Sequence, residues 1–97
     1  MAMTAHLIVP SLARPGDVLP IEATLRRGQD VGPDRAITGF VCRYNAKVIF
    51  RADWQVPSTK DPVLLFHAQA DSSGTLEFIW IDRGGTEYRA VTMLAVS

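Results

Sequence analysis

Phe40-Val41-Cys42-Arg43-Tyr44-Asn45-Ala46-Lys47-Val48-Ile49-Phe50-Arg51-Ala52-Asp53 reads as a β-hairpin, and the rest of the chain is arranged around it. Phe40, Cys42 and Tyr44 fall on one side of an extended chain, and Val48, Phe50 and Ala52 resume the period of two after Asn45-Ala46. Asn accepts positive φ at the first central position of a type I′ turn. The second position favours Gly, so Ala46 costs on the order of 1 kcal/mol there or shifts the turn type.

Beyond the hairpin, Trp54 to Pro62 contains Pro57 and Pro62 and reads as a connection crossing between sheets. Val63 to Ala70 is a strand with Leu64, Phe66 and Ala68 inward and Val63, Leu65, His67 and Gln69 outward. Asp71-Ser72-Ser73-Gly74 is a turn. Thr75 to Asp82 alternates most clearly, with Leu76, Phe78 and Trp80 on the core face. Arg83-Gly84-Gly85-Thr86 is a hairpin loop leading into a last strand, Glu87 to Val96.

Ahead of the hairpin, Arg26 to Ala36 holds glycines, a proline and charges without apolar periodicity and reads as an exposed loop. Val18 to Leu25 alternates, with Leu19, Ile21, Ala23 and Leu25 inward. Pro20 cannot donate to a ladder, so this strand should lie at an edge, start late or carry a bulge. Pro15-Gly16-Asp17 is a turn, and His6 to Val9 is a first short strand stopped by Pro10. The expected fold is all-β, an immunoglobulin-like β-sandwich of about seven antiparallel strands, forming a single domain over residues 1–97.

Ten basic and ten acidic residues cancel. Nucleic acid and anionic membranes favour a basic excess, so neither is expected as a partner. No apolar run approaches the length of about 20 residues that spans a bilayer, and Met1 to His6 lacks the parts of a signal peptide. A lone cysteine forms no internal disulfide and builds no zinc site by itself, so no metal and no cofactor are expected. Cys42 lies on the same strand face as Phe40 and Tyr44. Its thiol is therefore buried, paired with another chain, or reactive, with burial the plainest reading.

A Cys42–His67 thiolate–imidazolium pair would need a bulge, because Cys42 points with the core set and His67 with the outward set of its own strand. Asp53, Asp61, Asp71 and Asp82 sit at strand ends, where aspartate caps turns, so no catalytic residue is assigned. The outer face is more informative. With the aromatic sides taken as core, Val41, Ile49, Ile79, Ile81, Val91 and Met93 point outward, interleaved with Arg43, Arg51, Glu77 and Arg89. If their strands are neighbours, these side chains form one apolar patch of the kind found at partner interfaces. Otherwise a loop covers them or the strand order separates them.

Four stretches, Val9-Pro10-Ser11 to Gly16-Asp17, Phe40 to Phe50, Asp71 to Gly74, and Trp80-Ile81-Asp82, together resemble the SoxZ family of thiosulfate-oxidation carrier complex proteins. Asn45-Ala46 stands where the family has Asn-Gly, and the Arg26 to Ala36 segment is shorter than its counterpart. The resemblance implies a non-catalytic, immunoglobulin-like subunit that pairs with a SoxY-like chain in a periplasmic heterodimer. In that family the sulfur cargo rides on a cysteine in a glycine-rich tail of SoxY. This chain ends Leu94-Ala95-Val96-Ser97, so it is expected to be the supporting subunit, leaderless and exported with its partner, presenting the carrier arm to sulfur-oxidising enzymes.

On this reading Val41, Ile49, Ile79, Ile81 and Met93 anchor the heterodimer and Arg43, Arg51 and Arg89 rim it. Ile79→Asp is then expected to weaken pairing while leaving the isolated chain folded. Two other readings compete: a small thiol-based redox or sulfur-transfer protein using Cys42 directly, and a self-associating β-sandwich.

Overall fold

Leu19, Ile21, Ala23 and Leu25 all point into one interior, as their alternation requires, and the strand they form is the middle of a three-stranded sheet. The computed structural model describes residues 4–26, 36–57 and 60–97. Within them lie β1 (Thr4–Ile8), β2 (Leu12–Ala13), β3 (Val18–Arg26), β4 (Ile37–Tyr44), β5 (Lys47–Val56), β6 (Val63–Gln69), β7 (Gly74–Asp82) and β8 (Glu87–Val96). The smaller sheet has the order β1-β3-β6 and the larger β2-β8-β7-β4-β5. The fold is an immunoglobulin-like β-sandwich, with no helix among the described residues.

The first strand is shared between the sheets. β1 pairs antiparallel with β3, the chain bends at Pro10, and β2 then pairs parallel with the end of β8. Proline suits that bend because it cannot donate to either ladder. Pro20 is accommodated in a related way. β1 reaches β3 only from Glu22 onward, so at Pro20 the strand has a neighbour on one side alone, β6.

Inside, Phe40 is enclosed at the centre of an aromatic cluster, with ring centroids 5.2 Å from Trp80, 6.1 Å from Phe66, 6.2 Å from Phe50 and 6.3 Å from Phe78. Phe50 of β5 stacks on Phe66 of β6 at 4.4 Å, tying together the margins of the two sheets on that side. The hydrophobic term here is dense, since each aromatic ring removes some 150–250 Å² from water.

Three expectations about boundaries change. β5 runs on through Trp54, Gln55 and Val56, the first part of the stretch read as a connection. Trp54 and Val56 remain half-buried against the core, so the period of two continues past Asp53. Of the stretch read as the Arg26–Ala36 loop, Arg26 closes β3, Ala36 is buried, and residues 27–35 lie outside the described residues. Val48, expected inward, is exposed and pairs with Arg43, because the register slips between Cys42 and Arg43.

Candidate interaction surface

The strand order brings the outward-facing residues together. Across the larger sheet, Arg51, Val41, Ile79 and Arg89 occupy one cross-strand row, and Val48, Arg43, Glu77 and Val91 the next. Gly39, Ile81 and Glu87 lie above them, and Thr75 and Met93 below. The patch expected from alternation is therefore contiguous, with two changes in membership.

Ile49 leaves it. Cys42 faces Phe50 and Arg43 faces Val48, so Ile49 is the unpaired residue of a bulge. Its side chain lines a cleft of about 580 Å³ with Tyr44, Lys47, Gln69 and Asp71, away from Val41. Val48 takes its place on the outer face. Ile79 stays on the face but is already covered in the isolated chain, at 3% exposure. Its row neighbours are Val41 on β4 and Arg89 on β8, which flank it in mid-sheet. What a partner could touch is Val41 and Ile81, both half-buried, and the β8 margin, where Val91 is 58% and Met93 67% exposed.

The arginines are not equivalent. Glu77 sits between Arg43, 3.7 Å away, and Arg89, 2.9 Å away, and Arg89 also reaches Glu87 at 2.6 Å. Glu87, by hydrogen bond and charge, and Glu77 hold the Arg89 guanidinium above its ordinary value. Arg51 is exposed and carries no such ion pair among the described residues, so it is the readiest of the three to meet an acidic group on another molecule.

Cys42 is fully enclosed in the core, and burial pushes its thiol up from 9.0 to about 12. His67 is exposed on the outer face of the other sheet, so no thiolate–imidazolium pair forms. The raised pKa means that the folded chain holds a proton the unfolded chain releases above pH 9.0, so this contribution to stability is complete below that pH and is lost as pH rises towards about 12. Unfolding free energies from urea titrations are expected to fall across that window by an added slope of up to about 1.4 kcal/mol per pH unit, absent in Cys42→Ala. Labelling of Cys42 by a thiol reagent at neutral pH should await unfolding.

Sequence reading missed how the hairpin turn is braced. Asn45 and Ala46 both take positive φ, 50° and 69°, so the two-residue turn keeps the I′ shape despite Ala46. Asn45 Oδ1 accepts from the Thr75 amide at 3.0 Å, the Asn45 amide donates to Thr75 O at 2.9 Å, and Asn45 Nδ2 donates to Ser72 Oγ at 3.3 Å. The Tyr44 hydroxyl donates to Ser72 O and accepts from the Asp71 amide at 3.1 Å. This lock needs glycine at 74, where a Cβ would sit 1.6 Å from Asn45 Oδ1. Gly74→Ala should cost about 1–3 kcal/mol by expelling the Asn45 side chain, and far less in an Asn45→Ala background; a double-mutant cycle in urea measures the coupling.

The second turn is held by a buried carboxylate. Asp82 Oδ1 accepts from the Thr86 amide at 2.9 Å and Oδ2 from the Tyr88 hydroxyl at 2.8 Å, which fixes the loop between β7 and β8. The motifs Tyr44-Asn45, Ser73-Gly74 and Trp80-Ile81-Asp82 thus act on turn geometry and core packing. Among the described residues no group of three or more His, Cys, Asp or Glu side chains could hold a metal.

The sequence model of the family described as sulphur oxidation protein SoxZ matches residues 19–93. No curated protein matches. Among solved structures, the sulfur carrier protein SoxY from Chlorobium limicola f thiosulfatophilum superposes with a TM-score of 0.72 at 19% identity, over 96% of this chain and 78% of that one. The T24K superoxide reductase (neelaredoxin) from Ignicoccus hospitalis gives 0.73 at 15% identity, covering 97% and 80%. The CARDB domain of the PF1109 protein from Pyrococcus furiosus gives 0.70 at 12%, covering 98% and 92%. At these identities the structural likeness concerns the fold alone.

Proposed function

The chain belongs to the SoxZ family of sulphur oxidation proteins, and on that premise we propose that it is the non-catalytic subunit of a sulfur carrier complex. It pairs with a SoxY-like chain, in the periplasm, and presents that chain's sulfur-bearing cysteine arm to sulfur-oxidising enzymes. The observation that carries this reading is the state of Cys42. A fully enclosed thiol with its pKa pushed up to about 12 offers no nucleophile for loading or transferring sulfur, so any cargo must ride on another chain. The same observation counts against a thiol-transfer protein working through Cys42.

The pairing surface is the outer face of the larger sheet, with Met93 and Val91 as the exposed anchors, Val41 and Ile81 behind them, and Arg51 as the available charge at the rim. Apolar side chains on either side of the Arg43–Glu77–Arg89–Glu87 ion pairs suit a partner interface, where apolar contact supplies affinity and charges set register. The contribution is positional. A rigid sandwich at the base of a flexible arm raises the effective concentration of the arm's thiol near a docked enzyme without touching the chemistry.

Met93→Lys is expected to weaken the complex with the SoxY-like chain by about tenfold or more, as loss of an exposed apolar anchor does. His67→Ala, in the other sheet, should leave it unchanged. Calorimetric titration of each variant measures both. Equal affinities for the two variants would move the interface elsewhere.

A further inference from the structure

The margins of the two sheets are guarded unequally. β5 carries a bulge at Ile49 together with Lys47, Arg51 and Asp53, the usual devices against edge-to-edge pairing. β1 is five residues long, and β2 caps the end of β8, whose start carries Glu87 and Arg89. β6 has none of this. Val63-Leu64-Leu65-Phe66-His67-Ala68-Gln69 contains no formally charged residue, no proline and no glycine, runs without a bulge, and among the described residues pairs only with β3.

Every second residue of β6 therefore aims an amide and a carbonyl away from β3 with no strand among the described residues to receive them, a row left to water or open to another extended chain. The side chains beside that row are apolar: Leu65 is 72% and Val63 51% exposed. A groove of about 390 Å³ runs along the same face past Ile8, Pro20, Leu65 and His67. A seven-residue segment of this composition left open is the signature of a strand that associates.

We propose that β6 is a homodimerisation strand, pairing antiparallel with β6 of a second copy about a two-fold axis at Phe66 and joining two three-stranded sheets into one of six. Three observations select a second copy over a foreign strand. β6 bears no charge that would choose a complementary partner, the whole chain has a formal net charge of zero and so does not repel itself, and the strand is self-complementary. Centred on Phe66, Val63 faces Gln69 of the second copy, Leu65 faces His67, and the two Leu65 side chains meet on the diagonal. All seven residues pair. The contact belongs to the smaller sheet and leaves the outer face of the larger sheet open, so it does not rest on the carrier reading.

Sedimentation of the full chain across a concentration series is expected to show exchange between 10.7 kDa and twice that mass, the weak behaviour of a small interface. Leu65→Lys should raise the dimer dissociation constant at least about tenfold with circular dichroism unchanged, whereas Val91→Lys should not alter it. Val63→Cys combined with Gln69→Cys should give an interchain disulfide under mild oxidation, since the two positions face each other across the axis yet lie about 20 Å apart within one strand. A monomer at every concentration, a dimer indifferent to Leu65→Lys, or no crosslink would overturn the proposal. So would loss of binding to the SoxY-like chain in Leu65→Lys, because β6 would then be that partner's site; retained binding supports two separate surfaces.

Discussion

Replacing Ile79 with aspartate is expected to destabilise the isolated chain by roughly 4 kcal/mol or more, through lost apolar burial and a carboxylate forced into a dry site. Ile79 is 3% exposed without any partner, in mid-strand on β7, between β4 and β8. Arg89, its row neighbour, already serves Glu77 and Glu87, and Arg51 of the same row lies two strands away on β5. Against a total stability of about 5–15 kcal/mol for a domain of this size, the loss takes a large share. Ile79→Val should lose only about 0.5–1.5 kcal/mol. Met93→Asp, on the same face but exposed, should stay within about 0.5 kcal/mol of the parent. Urea unfolding of the three variants separates these values, and equal midpoints for the two aspartate variants would show that the face is not closed over Ile79.

Phe40→Ala is the other large effect, about 3–5 kcal/mol. Phe40 contacts aromatic rings from β5, β6 and β7, so its removal opens a cavity lined from both sheets. Collapse into that space is limited because Phe50 and Phe66 are already stacked on each other and Trp80 is held within β7 between the paired strands β4 and β8. Phe40→Leu, keeping most of the volume, should cost less than half as much. Thermal or urea melts give both values, and a Phe40→Ala variant as stable as Phe40→Leu would mean that the two sheets do not depend on this cluster.

The sandwich was legible because its strands are half-buried, and half-burial writes a period of two into the chain. Leu19 to Leu25, Phe40 to Tyr44 and Leu76 to Trp80 all point where alternation puts them. Alternation fails where one extra residue enters. The bulge at Ile49 reverses Val48 and Ile49 relative to a regular strand, and no residue type in Lys47-Val48-Ile49-Phe50 marks it. Strand order was equally unreadable, since pairing of β4 with β7 joins residues far apart in sequence.

The surface was legible in membership more than in exposure. Alternation puts Ile79 and Met93 on the same side, but only neighbours across the sheet decide that one is covered and the other open. The turn lock is a similar case. Asn45 and Gly74 each look like ordinary turn residues, and their dependence on each other appears only when the hairpin tip and the Asp71–Gly74 turn are brought into contact. A buried Asp82 could have been suspected from its place just before Arg83-Gly84-Gly85-Thr86, where a carboxylate can receive the amides of a tight loop.

On the proposed function, this chain works by pairing through the outer face of its larger sheet. The most direct test is the native mass of an equimolar mixture with a SoxY-like chain, using the parent protein and then Met93→Lys. Assemblies containing both chains in a one-to-one ratio are expected for the parent, and a large loss of them for Met93→Lys. Two chains that remain apart in the parent mixture would contradict the proposed function.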